Sequence, residues 1–274
     1  MANTAVHIRR AAELFLTFLT IPFTTQSCSV KEMRGACPCR VDLDLTELLE
    51  CREGCRQGTI ETSVFDAAGT VIYNRSFGAD TCSSIYELLV PRGKYSICAL
   101  YFSNVDVWNI SAGTLGLKAG AEPDSLYGET AAVDATGEEQ FFRPAAFKQF
   151  TTVNINFTAP VYGLSVGISA PSSSVNMCPL EGGTGELRHS ATVYGQRYSR
   201  RICRQSGDDI IVSFTNPAAG SLIARVSVAE LMRSKGYEYN AKSLGDIDIT
   251  VDFGLRSITL ETEGWKESFL NVIF

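Results

Sequence analysis

Histidine is nearly missing from this chain: among 274 residues only His7 and His189 occur. Acid–base or nucleophilic chemistry that leans on imidazole therefore has one candidate outside the N-terminal segment. Positive charge is also scarce, with 24 Lys and Arg against 30 Asp and Glu, and the formal net charge of −6 at pH 7 argues against a nucleic-acid binder. No run of apolar residues approaches the roughly 20 needed to cross a bilayer as a helix. Tryptophan is limited to Trp108 and Trp265. Cysteine, by contrast, is plentiful at nine residues, more than a reducing cytosol usually carries.

The longest apolar run, residues 11–23 (AAELFLTFLTIPF), follows the cationic head His7, Arg9 and Arg10. That order, with a run too short for a membrane span, predicts a secretory signal peptide over residues 1–27. Small and polar residues end the run, and Ser27-Cys28 resembles the cleavage point of a bacterial lipoprotein signal, where the cysteine thiol takes a lipid and becomes the new N-terminus. Thr25 and Glu13 depart from the usual pattern. Arg9-Arg10 lacks the flanking residues of a twin-arginine signal.

With Cys28 reserved for lipid, eight cysteines remain for pairing: Cys37, Cys39, Cys51, Cys55, Cys82, Cys98, Cys178 and Cys203. Cys178 and Cys203 stand alone in the second half, so the sequence favours a bridge between them and leaves the connectivity of the other six open. Cys37-x-Cys39 and Cys51-x3-Cys55 also look like zinc ligand pairs. An exported compartment favours bridges, however, and the first spacing is unlike a zinc knuckle.

Along the chain, residues 41–45 alternate apolar and acidic side chains with the period of a half-buried strand. Residues 48–58 read as a polar loop. Residues 60–65 and 70–73 flank Asp66-Ala-Ala-Gly69 as a hairpin, and residues 85–90 and 95–102 flank Pro91-Arg-Gly-Lys94 as a second. Residues 104–143 show no helical period and read as a long surface excursion. Val153, Ile155 and Phe157 alternate with Asn154 and Asn156 and should face a core. Further strands are expected at 164–168, 191–194, 210–214, 222–228, 247–253, 257–262 and 269–274, with a short helix at 228–235 ending at Gly236. The expected fold is all-β: two tandem antiparallel β-sandwich domains, at residues 28–145 and 146–274, after the signal peptide.

Several stretches agree with one family: Cys28-Ser-Val-Lys-Glu-Met-Arg-Gly-Ala-Cys-Pro-Cys39 before a strand, Val64-Phe-Asp-x-x-Gly69, Phe147-Lys-Gln-Phe150, and the spaced Gly236-Tyr, Asp246, Val251-Asp, Trp265 and Phe274. The chain thereby resembles the FimB/Mfa2 family of Bacteroidetes fimbrial anchor and accessory lipoproteins. The resemblance implies transthyretin-like sandwiches tethered to the outer membrane through Cys28 and displayed on fimbriae. It also implies fimbrial major or stalk subunits as partners, joined by strand complementation, and neither cofactor nor enzymatic activity. If so, the terminal strands are used internally and the polymer is met at one end only.

Other chemistry has weaker grounds. Gly163-Leu-Ser-Val-Gly167 matches a nucleophile elbow, but Ser165 lies in an alternating run with no helix after it. Gly182-Gly-Thr-Gly185 lacks the Lys-Ser/Thr of a phosphate loop and reads as a turn. Asp246, Asp248 and Asp252 share one face of a strand, which suits solvent better than calcium. Arg188, Arg197, Arg200, Arg201 and Arg204, with Tyr194 and Tyr198, form a candidate basic patch for an anionic partner, or a charged edge that discourages stray pairing. A glycan-binding surface lipoprotein is the alternative reading, for which Trp108 is the one loop tryptophan and Trp265 reads as core.

Overall fold

Period two in the first readable stretch becomes β1 (Cys39–Asp44), which buries Cys39, Val41 and Leu43 and turns Arg40 and Asp42 outward. The structure, a computed structural model, describes residues 37–50, 57–111, 113–229, 240–254, 257–262 and 265–269. The signal segment, Cys28, Cys51, Cys55 and most of the expected 228–235 helix lie outside these residues. No described helix is long and apolar enough to cross a membrane.

After β1, a short helix α1 (Thr46–Glu50) replaces the start of the expected loop. Asp44 Oδ1 accepts the Thr46 amide at 3.1 Å and buried Leu48 pins the turn inward. Then come β2 (Thr59–Phe65), β3 (Val71–Gly78), β4 (Ile85–Val90) and β5 (Lys94–Phe102). The β2–β3 hairpin forms as read: Asp66 Oδ1 accepts the Ala68 and Thr70 amides, and Gly69 takes φ 77°. The second expected hairpin does not. β4 pairs with β1, whereas β5 pairs with β2, so Pro91-Arg-Gly-Lys94 carries the chain from one sheet to another.

The expected surface excursion also contains structure: β6 (Trp108–Ser111), β7 (Thr114–Leu117), β8 (Leu126–Asp134) and β9 (Glu139–Phe142). β8 pairs with β5 along nine residues. Its Gly128 has φ 148°, and a Cβ there would lie 2.1 Å from the Ala99 carbonyl oxygen. Close backbone approach thus explains a glycine that in sequence reads as a strand breaker.

Three layers result. The sheet β4-β1-β9 covers one face of β3-β2-β5-β8, with Tyr73 and Tyr86 hydroxyls meeting across the gap at 2.6 Å. The other face is covered by β6, β7 and a hairpin from the second half, β11 (Ser174–Met177) and β12 (Leu180–Gly182), in the order β12-β11-β7-β6. Covering on both faces is why β2 and β5 are buried almost continuously rather than alternately.

The second half is organised by β10 (Phe150–Ala170), which pairs with β13 (Leu187–Cys203) over nearly its whole length. Its first part also pairs in parallel with β16 (Ile247–Asp252), and its last part antiparallel with β14 (Ile211–Asn216), which pairs with β15 (Ser221–Ser227). Beyond β16 lie β17 (Ser257–Thr262) and β18 (Trp265–Phe269). A register shift at residues 156–164 breaks the ladder between the two parts of the ribbon. Val153, Ile155, Val166, Ile168, Val212, Phe214, Ile247 and Ile249 join one buried cluster. A separate cluster holds β1, β2, β5 and β8 together with Phe150, Val175, Met177 and Cys203. The architecture is an all-β sandwich fold with several antiparallel sheets.

Candidate functional site

Exposure first locates the surfaces on which this chain could act. Trp108, expected in an exposed loop, opens β6 and is 3% exposed, packed in the first core. It offers no stacking platform. Among the described residues the most exposed aromatics are instead Tyr162, at 81%, and Tyr194, at 73%, which sit opposite one another on β10 and β13, while Phe141 is exposed by itself on β9. Gly163 follows Tyr162 at φ 73° and is the extra residue between the Tyr162–Tyr194 and Leu164–Val193 pairs. That bulge leaves the two rings outside while Leu164 and Val193 go into the core. Tyr162, Leu164, Asn216, Ile223 and Phe253 line an adjoining groove of about 500 Å³. A repeated Tyr-Gly dipeptide, at 162–163 and 194–195, was the sequence signal for this pair, although only Tyr194 stood out there, as a neighbour of arginines.

The candidate basic patch is broken up by folding. Arg200 pairs with Glu122, whose other oxygen accepts the Arg201 amide at 2.8 Å. Arg201 reaches Asp124 at 3.7 Å and lies over the Phe150 ring. Arg188 pairs with Glu186. Arg204 is buried, donating to Gln149 Oε1 at 2.7 Å and to the Ala241 carbonyl at 2.7 Å. Of the five arginines only Arg197 is exposed without an ion pair among the described residues. Acidic partners contributed by the 104–143 stretch explain the loss of the patch. Sequence spacing does not show them.

Ser165 and His189 do not form a dyad. Ser165 is paired with Thr192 and reaches Ser190 Oγ at 3.3 Å, whereas His189 pairs with Ile168 and is turned inward, 8% exposed. Odd and even positions of one strand face opposite ways, so the two side chains lie on opposite faces of the sheet. Burial, with Arg200 nearby, holds the His189 pKa below its ordinary value.

Asp248 and Asp252 line the outer face of β16 as expected, but Asp246 precedes the strand and is bound to Lys148 and to the Thr152 amide at 2.7 Å. Among the described residues no group of three acidic, cysteine or histidine side chains converges as a metal site. Gly182 to Gly185 form a turn, and a Cβ on Gly182 would lie 2.0 Å from the Ser206 nitrogen.

Cys39, Cys82, Cys98, Cys178 and Cys203 are free thiols in the structure. The expected Cys178–Cys203 bridge is not formed. Cys203 Sγ points at the Ser172 carbonyl at 3.4 Å, while Cys178 lies in the turn between β11 and β12. Burial pushes the thiols of Cys98 and Cys203 up to about 12. Cys39 is fully buried on β1 opposite Val90, and among the described residues no metal-ligating group converges on it.

Solved structures share this fold. The chain is similar to a polysaccharide-binding candidate (DUF1812) from Bacteroides thetaiotaomicron, with a TM-score of 0.59 and 16% identity over 85% of this chain and 98% of that one. The fimbrial anchor protein Mfa2 from Porphyromonas gingivalis matches at a TM-score of 0.59 and 15% identity, covering 84% of this chain and 99% of that one. An adhesin candidate from Bacteroides ovatus matches at 0.57 and 14% identity, over 86% and 96% of the two chains. No protein-family model matches the sequence. No curated protein matches it either.

Proposed function

We propose that this chain is a non-enzymatic structural subunit of cell-surface fimbriae, an anchor or accessory subunit. A lipid on Cys28 tethers it to the outer membrane, and pilin subunits join it by strand complementation. The observation that carries this reading is the place of β1. The first strand among the described residues lies in the middle of its sheet, bonded antiparallel to β4 and parallel to β9. A strand held on both sides is not one to give away. The fold shared with the Mfa2 fimbrial anchor supports the same role. Main-chain pairing along a free sheet edge, with alternate side chains in pockets, makes a durable joint. Among the described residues, the outer edges of β4 and β15 are unpaired.

The test is a pull-down of the tagged full chain from detergent extracts of the source bacterium. Co-purification of a fimbrial major subunit is the expected result. Recovery of the chain without any fimbrial protein argues against the role. Proteolytic removal of residues before Thr46 should destroy the first sheet. A trimmed protein that instead polymerises with itself would contradict the internal use of β1.

A second reading rests on Tyr162 and Tyr194. Two exposed rings beside a groove present flat apolar faces of the kind that pack against sugar rings, while Asn216 adds a polar group. A glycan-binding surface lipoprotein is the function this pair favours. The shared fold with the polysaccharide-binding candidate is consistent with it.

A further inference from the structure

Cys98 lies on β5 between two hydroxyl residues, opposite Ser63 on β2 and opposite Thr130 on β8. Directly paired residues in a sheet point the same way, so the three side chains share one face. Both neighbours touch the same residue of the covering layer: the Ser63 hydroxyl approaches Met177 Sδ at 3.5 Å, and the Thr130 hydroxyl donates to the Met177 carbonyl at 2.6 Å. Cys178 follows Met177 directly, half-buried against the same core. Cys98 is therefore flanked by the two groups that hold down the residue next to Cys178.

We infer that Cys98 and Cys178 are a disulfide site, joining the central sheet of the first core to the β11–β12 hairpin that the second half sends back over it. Loop length suits such a link, because the hairpin is far from β5 in sequence and its return is held otherwise by short strands. Cys203, the sequence-favoured partner of Cys178, is occupied differently. Its sulfur faces the Ser172 carbonyl and it accepts a contact from Gln205 Nε2.

The chemistry needs an oxidant, and a small-molecule or protein disulfide of an exported compartment supplies it, so the inference rests on the export reading for its setting. Cys178, the more open thiol, loses its proton and attacks one sulfur of that disulfide, releasing the other as a thiolate. The Cys98 sulfur, once deprotonated, attacks Cys178 and expels the second oxidant thiolate. Two protons and two electrons leave the protein, and the oxidant ends as two thiols.

The test is peptide mapping without reductant on the purified full chain, after equilibration with oxidised glutathione and alkylation of remaining thiols. A peptide joining Cys98 to Cys178 is expected, still present in Cys203→Ser and absent in Cys178→Ser, with Cys98 then recovered alkylated only after unfolding. Melting of the oxidised wild type should move to lower temperature on reduction, and Cys178→Ser should not respond. Alkylation of Cys98 and Cys178 in the oxidised wild type overturns the inference, as does a Cys178–Cys203 peptide. If the bridge forms in this assay yet is reduced in protein taken from cells, the export reading fails and the site stands.

Discussion

Lys148 and Asp246 form an ion pair at the point where β10 leaves the first core and β16 enters the second. The same carboxylate accepts the Thr152 amide at 2.7 Å, and the Leu244 amide donates to the Lys148 carbonyl at 2.9 Å, so two distant segments are stitched side by side. Next to them, Gln149 donates to the Gly128 carbonyl of β8 and to the Lys242 carbonyl, tying both halves to the buried Arg204.

Asp246→Asn should cost about 1 kcal/mol, most of it from the weakened Thr152 contact, because the ion pair is partly open to water and screened. Burial raises the Asp246 pKa, but Lys148 and the Thr152 amide outweigh that and hold it below the ordinary 3.8. Its contribution is therefore present above that value and lost as pH falls through the folded-state pKa. Urea unfolding of wild type and variant from neutral to acid pH checks this, and the difference between them should shrink at the acid end.

Glu61 should show the opposite slope. It is 1% exposed on β2, bonded to Ser76, with Oε1 lacking a hydrogen-bond partner among the described residues. Burial pushes its pKa above 4.5, with the Ser76 and Asn74 contacts offsetting part of the rise. Stability from this group grows as pH falls through the raised folded-state value and levels off below 4.5. Glu61→Gln should remove that gain, measured as the pH dependence of the difference from wild type.

At His189 the linkage runs the other way again. Because the folded-state pKa is held below 6.5, the unfolded chain takes up its proton first, and stability falls as pH drops below 6.5 until the folded-state value is passed. His189→Met should flatten this part of the profile. A wild type with no loss relative to the variant across that window contradicts the burial of the ring.

Trp108 and the tyrosine pair should separate stability from surface function. Trp108→Ala should cost about 3–5 kcal/mol by emptying a core position. Tyr162→Ser and Tyr194→Ser should each change stability by about 0.5 kcal/mol or less. On a glycan array, the tyrosine variants should lose any binding the wild type shows. Glycan binding retained by both rejects the second functional reading.

Where one face of a strand is buried and the other wet, the sequence shows the strand: β1, the first part of β10 and β16 all alternate and all fold as their pattern demands. The β2–β3 hairpin is equally legible because Asp66 and Gly69 state the turn. β8 is not, since its place beside β5 depends on Gly128 passing close to Ala99, a contact that local pattern cannot express. The β4–β5 link reads as a hairpin because Pro91 and Gly93 are turn residues whether the chain doubles back or changes layer. For the site, the arginines are visible in sequence but Glu122 and Asp124, which neutralise two of them, come from a stretch with no pattern of its own. Cys178 likewise packs against the first core only because the β11–β12 hairpin crosses between cores.

Membrane anchoring at Cys28 is tested most directly by growing the source bacterium with labelled palmitate and isolating this chain beside a Cys28→Ala variant. Label in the wild-type chain, lost in the variant, with the wild type in the outer-membrane fraction alongside fimbrial subunits, is the expected result. An unlabelled chain, free in the cytosol with its thiols reduced, would contradict the account.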